Sequence, residues 1–289
     1  MKALEIWRRE FSKAIKDVDL HPSGLVGVVT EEGGGLIEST GEILFMERDN
    51  FYISTNYLPF SNTLGMGNVL DSIEKYSGQG KLVDEIVIQD LRRYPYFRDY
   101  ELGVIACGDG CLLIDELGTV MPLPRRFVGR VSGKIEICDV FLLAPSGNSL
   151  NVIDIEGWLI TNGLDPMVIN KILYDKEITD VSSCYPFFTV TLKEEDLLTD
   201  VRLYNVEGNL KRPVKITLPR GSRVTLGPNC DMISAEPEGD KLRIRLVDVE
   251  SLKVLEEYKV EWDGKLQRIL WRGGKLLLIG RKRLLQLAL

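Results

Sequence analysis

Short apolar runs of four to eight residues, rich in Val, Ile and Leu, alternate along this chain with clusters of Gly, Asn, Asp, Ser and Pro. That is the pattern of strands joined by tight turns. One unit recurs: an apolar run, two or three polar residues, a Gly or Ser, then a second run. The copies are LIESTGEILF (36–45), SIEKYSGQGKLV (72–83), LLIDELGTVM (112–121), NVIDIEGWLI (151–160), VRLYNVEGNLK (201–211) and IRLVDVESLKV (244–254). Glycine adopts positive φ without a Cβ penalty, so Gly41, Gly78, Gly118, Gly157 and Gly208 mark hairpin turns, with Ser251 in the last copy. In NVIDIEGWLIT the pattern predicts a strand over Asn151–Ile155, a turn at Glu156-Gly157, and a second strand over Trp158–Thr161.

The turns return about every 40 residues with four strand-like runs per unit, the period of a propeller blade. Six blades are expected, at about Lys16–Met46, Asn50–Gln89, Tyr94–Leu123, Arg130–Thr161, Lys176–Ile216 and Ser222–Trp262. The longest gap, between Gly157 and Gly208, holds an insertion over about 165–176. There Asp165 as N-cap, Pro166 in the first turn, and Met167, Ile169, Ile172 and Leu173 predict a short helix. Met1–Phe11 contains an unpartnered strand-like run, and three further runs lie in 263–289. Joining them predicts an all-β, seven-bladed β-propeller spanning 1–289 as one domain. Its N-terminal strand (1–11) completes the C-terminal blade (263–289), which removes an exposed sheet edge.

The segment VDLHPSGLVGVVTEEGGGLIESTGEILF (18–45) resembles the WD-repeat and related propeller families, whose inner strand ends in a His-Pro-Ser-Gly-like turn. No Gly-His pair opens a blade and no Trp-Asp pair closes a third (c) strand. The resemblance implies a fold and leaves function open.

Composition narrows the chemistry. The 289 residues are 44% hydrophobic and 27% charged, ordinary for a soluble domain. No apolar run approaches the roughly 18 residues of a membrane helix, and MKALEIWRRE lacks a secretory apolar core, so a cytoplasmic protein is expected. Net charge is −7, against bulk nucleic-acid binding. One His and four Gln beside 36 Lys+Arg and 43 Asp+Glu is a thermophile-like tilt. Five Cys, an odd count, argue against a disulfide framework. Cys107 and Cys111, flanking Gly108-Asp109-Gly110, read as two small buried side chains facing across a hairpin.

A single imidazole excludes multi-His metal sites, and His21 reads as a turn residue. Gly33-Gly34-Gly35, Gly65-Met66-Gly67 and Gly273-Gly274 match no phosphate-binding loop. No catalytic residue, metal or cofactor is expected. The strongest surface signal is DLRRYPYFRDY (90–100), with Arg92, Arg93, Tyr94, Tyr96, Phe97, Arg98 and Tyr100. Aromatics interleaved with arginines suit binding hot spots and base-stacking platforms. With strands lettered a to d from the axis outward, the d–a and b–c loops share one rim. Arg125 and Arg126 fall on it too, and acidic b–c loops such as Glu31-Glu32 and Asp109 lie nearby. A protein-interaction scaffold docking a protein partner on that rim is expected, as part of a complex and with no membrane role. Two alternatives stand beside it: an RNA-binding subunit using the same arginines, and a metal-dependent hydrolase or lyase using Asp17, Asp19, Glu136, Asp139 and Asp180.

Overall fold

The computed structural model describes residues 3–48, 51–115, 117–162, 169–194, 198–207, 210 and 212–289. Their strands form seven four-stranded antiparallel sheets, each in simple up-and-down order. The innermost strands are Ile15–Leu20, Tyr52–Leu58, Tyr96–Tyr100, Glu136–Cys138, Ile178–Cys184, Arg223–Leu226 and Leu266–Arg272. Each neighbours the next, and the last meets the first, so the sheets close into a ring.

Burial runs radially. Middle strands such as Val26–Thr30 and Thr63–Asn68 are wholly buried, whereas the outer strands Ile43–Arg48 and Leu82–Val87 are largely exposed. Two-sided packing between blades therefore accounts for the continuous apolar runs, and solvent on the outer edge for the charged, alternating ones.

Closure follows the expected scheme. Leu4–Glu10 pairs antiparallel with Arg283–Ala288 as the outer strand of the seventh blade. Trp7 is buried, and its ring occupies the space that a Cβ on Gly41 (φ +90°) would need, 2.7 Å away. The closing strand thus also seals the seventh blade against the first.

In blade two, packing explains why the second strand, Thr63–Asn68, is poor in apolar side chains. Phe97, fully buried, enters from blade three and lies over Gly65 and Gly67; a Cβ at Gly65 would meet its ring at 2.7 Å. Those glycines are a socket for a neighbour's ring, so the strand lacks apolar side chains of its own.

Three expectations are corrected. The stretch NVIDIEGWLIT is not a hairpin: strand Ser149–Asp154 runs straight into a helix, Ile155–Thr161. Asp154 caps it, its Oδ1 accepting the Gly157 N–H at 3.0 Å. Ile155 and Trp158 are fully buried on one helical face, so Gly157 serves a helix rather than a turn. The outer strand of blade four is instead Ile169–Leu173, pairing with Ser149–Ile153. That contradicts the helix expected over 165–176 at its C-terminal half; Asp165, Pro166 and Met167 lie outside the described residues, as does Gly208. The spacing of Ile169, Ile172 and Leu173 fits a helix locally, but the open edge of blade four offers a ladder that outweighs it.

Disulfides are the third correction. Cys107 and Cys111 are bonded across their hairpin, and Cys184 is bonded to Cys230, 46 residues away. The second bridge ties the end of blade five's inner strand to the a–b turn of blade six. Cys138 alone is free, and burial pushes its thiol up to about 12.

Candidate functional site: the central channel and its two rims

Inner strands present every second side chain to the axis, so an i, i+2 pair of charges on one strand reaches the channel together. Asp17 and Asp19 do so from blade one, and Arg98, Lys134, Glu136, Asp180, Arg268 and Arg272 join them from blades three, four, five and seven. Arg98 donates to Asp19 at 3.3 Å, to Glu136 at 2.6 Å and to the Tyr57 carbonyl at 2.6 Å. Lys134 pairs with Asp17 at 3.0 Å and Asp19 at 3.3 Å. Arg268 grips both oxygens of Asp180, and Arg272 donates to Asp19 and stacks over the Tyr57 ring at 4.6 Å.

Asp19 is the hub. Burial alone would raise its carboxyl, yet Arg272, Lys134 and Arg98 together hold it well below the usual carboxylate range. The backbone N–H groups of Leu20 and Tyr57 add two bonds to it, at 2.8 and 3.0 Å. Asp180 behaves oppositely: burial raises it, and Arg268 only partly offsets that. Lys134 is lowered, because its loss of water outweighs Asp17 and Asp19. The cluster holds four carboxylates and four cations, and divides the channel. A cavity of about 390 Å³ opens on the a–b side and one of about 270 Å³ on the other, meeting at Asp180 and Arg268.

The axial carboxylates that would serve a metal-dependent enzyme therefore converge, but onto basic partners. Asp139, in an a–b turn, does not join them. Among the described residues no group of three or more His, Cys, Asp or Glu side chains is placed to hold a metal ion. The sequence signal for this cluster was Asp17-x-Asp19 in an inner strand. Its partners Arg98, Lys134, Arg268 and Arg272 are spread along the chain and only the ring unites them.

His21 sits in the a–b turn of blade one. Its Nδ1 contacts Ser23 Oγ at 2.9 Å and its Nε2 contacts the Asn62 carbonyl at 2.9 Å, while Ser23 donates to the Gly78 carbonyl at 2.8 Å. Burial lowers its pKa. It stitches blade one to blade two.

The residues singled out in 90–100 separate into two groups. Phe97 and Arg98 are 0% and 1% exposed and cannot touch a partner; the first plugs the blade two–three seam and the second joins the axial cluster. Adjacent on one strand, they face opposite sides of it, one the blade seam and the other the axis, which a reading by composition alone overlooks. Tyr94, Tyr96 and Tyr100 are half-buried, Tyr96 at the mouth of the smaller cavity. Arg92, Arg93, Arg125 and Arg126 are exposed on the d–a rim.

On that rim, b–c carboxylates pair with cations of neighbouring blades. Asp109 holds Arg93 at 2.8 Å and Arg125 at 3.1 Å, and those bonds hold its carboxyl low. Glu194 likewise holds Arg223 at 2.7 Å, Arg220 at 3.6 Å and Lys265 at 3.8 Å. Arg92 and Arg126 have no ion pair among the described residues; the Arg126 guanidinium lies 4.8 Å over Phe127.

No family model matches the chain, and no curated protein matches it. Solved WD40 propellers match it closely in shape. The Neurospora crassa Pan2 WD40 domain superposes with a TM-score of 0.68 at 11% identity, covering 99% of this chain and 95% of that one. The Myceliophteria thermophila Cps50 (Swd1) β-propeller domain gives 0.65 at 12% identity, covering 99% of both. The RRP9 WD40 repeats give 0.66 at 8% identity, covering 100% of this chain and 99% of that one. At such identities the likeness is one of fold: a WD40-like seven-bladed propeller.

Proposed function

We propose that the chain is a non-catalytic scaffold that docks an acidic protein surface on the rim formed by its d–a and b–c loops. The observation that carries this reading is the imbalance at Arg92 and Arg126. Neighbouring Arg93 and Arg125 are paired with Asp109, whereas these two stand exposed without carboxylate partners among the described residues. Arginine beside an aromatic ring is the composition of interface anchors, and here Tyr94, Tyr96 and Phe127 supply the rings. Unpaired rim cations raise association rates with an acidic partner and suppress basic ones. Docking there leaves the axial cluster intact, which suits a platform rather than a reaction vessel.

The test is affinity purification from the native cell with the wild type beside Arg92→Glu/Arg126→Glu. Both side chains are exposed, so the variant folds. Loss of one or more specific co-purifying proteins supports the rim; an unchanged set removes it. A labelled single-stranded RNA that binds the wild type with a steep salt dependence, and not the variant, would replace the protein partner with RNA.

A further inference from the structure

The rim opposite the arginines, built from a–b and c–d turns, opens onto the larger axial cavity, about 390 Å³. That volume lies within the range of small-molecule sites, roughly 300–1,000 Å³. Pro22, Pro59 and Pro228, in the a–b turns of blades one, two and six, stand around it, and Ile137, Val181, Leu226, Leu270 and Trp271 give it apolar walls. Proline holds φ in each of those turns, so the cavity needs little ordering when a ligand enters.

The charges that line it are uneven. Arg98, Arg268 and Arg272 face two carboxylates, Glu136 and Asp180, while Asp19 is fully buried and lines neither cavity. Most polar groups of the wall are already spent. Glu136 takes Arg98 and Asp180 takes Arg268. Ser183 donates to the Ile137 carbonyl at 3.0 Å, and the Ser182 hydroxyl accepts the Leu226 N–H at 2.9 Å and meets the Thr225 hydroxyl at 3.1 Å. The guanidiniums keep donors unspent. Arg268 grips Asp180 through Nε and Nη2, and Arg272 reaches Asp19 and the Leu20 carbonyl through Nη1. Nη1 of Arg268 and Nη2 of Arg272 therefore have no acceptor among the described residues. A guanidinium only donates, so a molecule that complements this cavity must bring an acceptor, and an anionic one makes the stronger bonds.

We infer that this cavity binds a small organic carboxylate with an apolar body, its carboxylate on Arg268 and Arg272 and its body against Leu226, Leu270 and Trp271. A neutral apolar molecule would strip water from the spare donors and return nothing. A bare inorganic anion would leave the apolar walls wet. A cation would meet carboxylates that already have partners. The cavity opens away from Arg92 and Arg126, so this inference and the docking rim stand or fall separately.

The test is calorimetric titration of the full chain with biphenyl-4-carboxylate and with octanoate, beside biphenyl-4-carboxamide and 4-phenylbenzylamine. The expected result is saturable binding of at least one carboxylate, about tenfold or more tighter than the amide or the amine. Asp180→Asn, which releases the Arg268 fork and keeps the shape, tightens the carboxylate severalfold. Arg268→Gln/Asp180→Asn removes the pair together, so neither charge is left buried alone, and weakens it about tenfold. Ile137→Trp fills the cavity, touches no ion pair and abolishes binding; thermal melts confirm that each variant is folded. Equal binding of the carboxamide would mean apolar trapping alone, and a tighter amine would mean a cation site. Either result, an affinity unmoved in both Arg268→Gln/Asp180→Asn and Ile137→Trp, or no binding of either carboxylate, overturns the inference.

Discussion

The indole N–H of Trp7 donates to Oε1 of Gln286 at 3.0 Å, joining positions 279 residues apart. Gln286 spends its own N–H on the Gly24 carbonyl, also at 3.0 Å. One fully buried amide thus fastens the closing strand, the strand it pairs with, and the first turn of blade one.

Deleting residues 1–10 should therefore lower the melting temperature far more than removal of ten terminal residues ordinarily would. Gln286→Ala strands a buried indole N–H and a buried carbonyl, at a cost of about 1–3 kcal/mol for each group left unpaired. Urea unfolding of both variants checks this. A deletion with an unchanged midpoint would sink the account of closure.

Phe97→Ala should cost about 3–5 kcal/mol, because the Gly65–Gly67 socket has no other side chain to refill it. Arg92→Ala, at an exposed side chain in the loop before that strand, should be near neutral. Comparing the two by denaturant titration separates the structural half of residues 90–100 from the exposed half.

Asp19→Asn should destabilise the ring by about 3–5 kcal/mol at pH 7, since buried cations lose their counter-charge. The pH dependence has a defined sign. The Asp19 carboxyl is lower folded than unfolded, so its contribution is complete above the unfolded value near 3.9 and fades as acid takes the pH down through the folded value. Asp180, raised by burial, works in reverse: its contribution is complete below the unfolded value and is lost as pH rises through the folded one. Urea midpoints from pH 7 down to pH 2 should show the wild type and Asp19→Asn converging in acid. A constant gap would contradict the hub role of Asp19.

Thiol titration of the denatured, unreduced protein should find one free thiol per chain, Cys138. Finding five would show the bridges absent. Cys184→Ser/Cys230→Ser opens a 46-residue closure and should cost about 4 kcal/mol on the chain-entropy relation. The Cys107–Cys111 bridge closes only a hairpin and should be worth about half that.

The blade count, the closing strand and the turns at Gly41 and Gly118 were legible because each depends on local alternation and on positive φ; in blade two the positive φ falls on Gly80, two residues beyond the expected Gly78. What escaped was whatever the ring decides. Asp154 reads as a polar residue before a Gly turn, yet Ile155 and Trp158 find a buried face only once blades three and four pack. Ile169–Leu173 has helical spacing but an open edge to join. Of the proposed docking residues, Phe97 and Arg98 were expected on the surface but are buried, because the neighbouring blade and the axial cluster, which local sequence does not show, take them. The pairing of Cys184 with Cys230 joins two turns that no sequence spacing connects.

The eight axial charges carry one more consequence. They come from blades one, three, four, five and seven, and balance over the complete ring. A fragment holding blades one to three would have Asp17 and Asp19 facing Arg98 alone; one holding blades four to seven would have three cations and two carboxylates. Partial rings are thus penalised at their centre as well as at their seams, and the propeller should melt as one cooperative unit instead of shedding blades in turn.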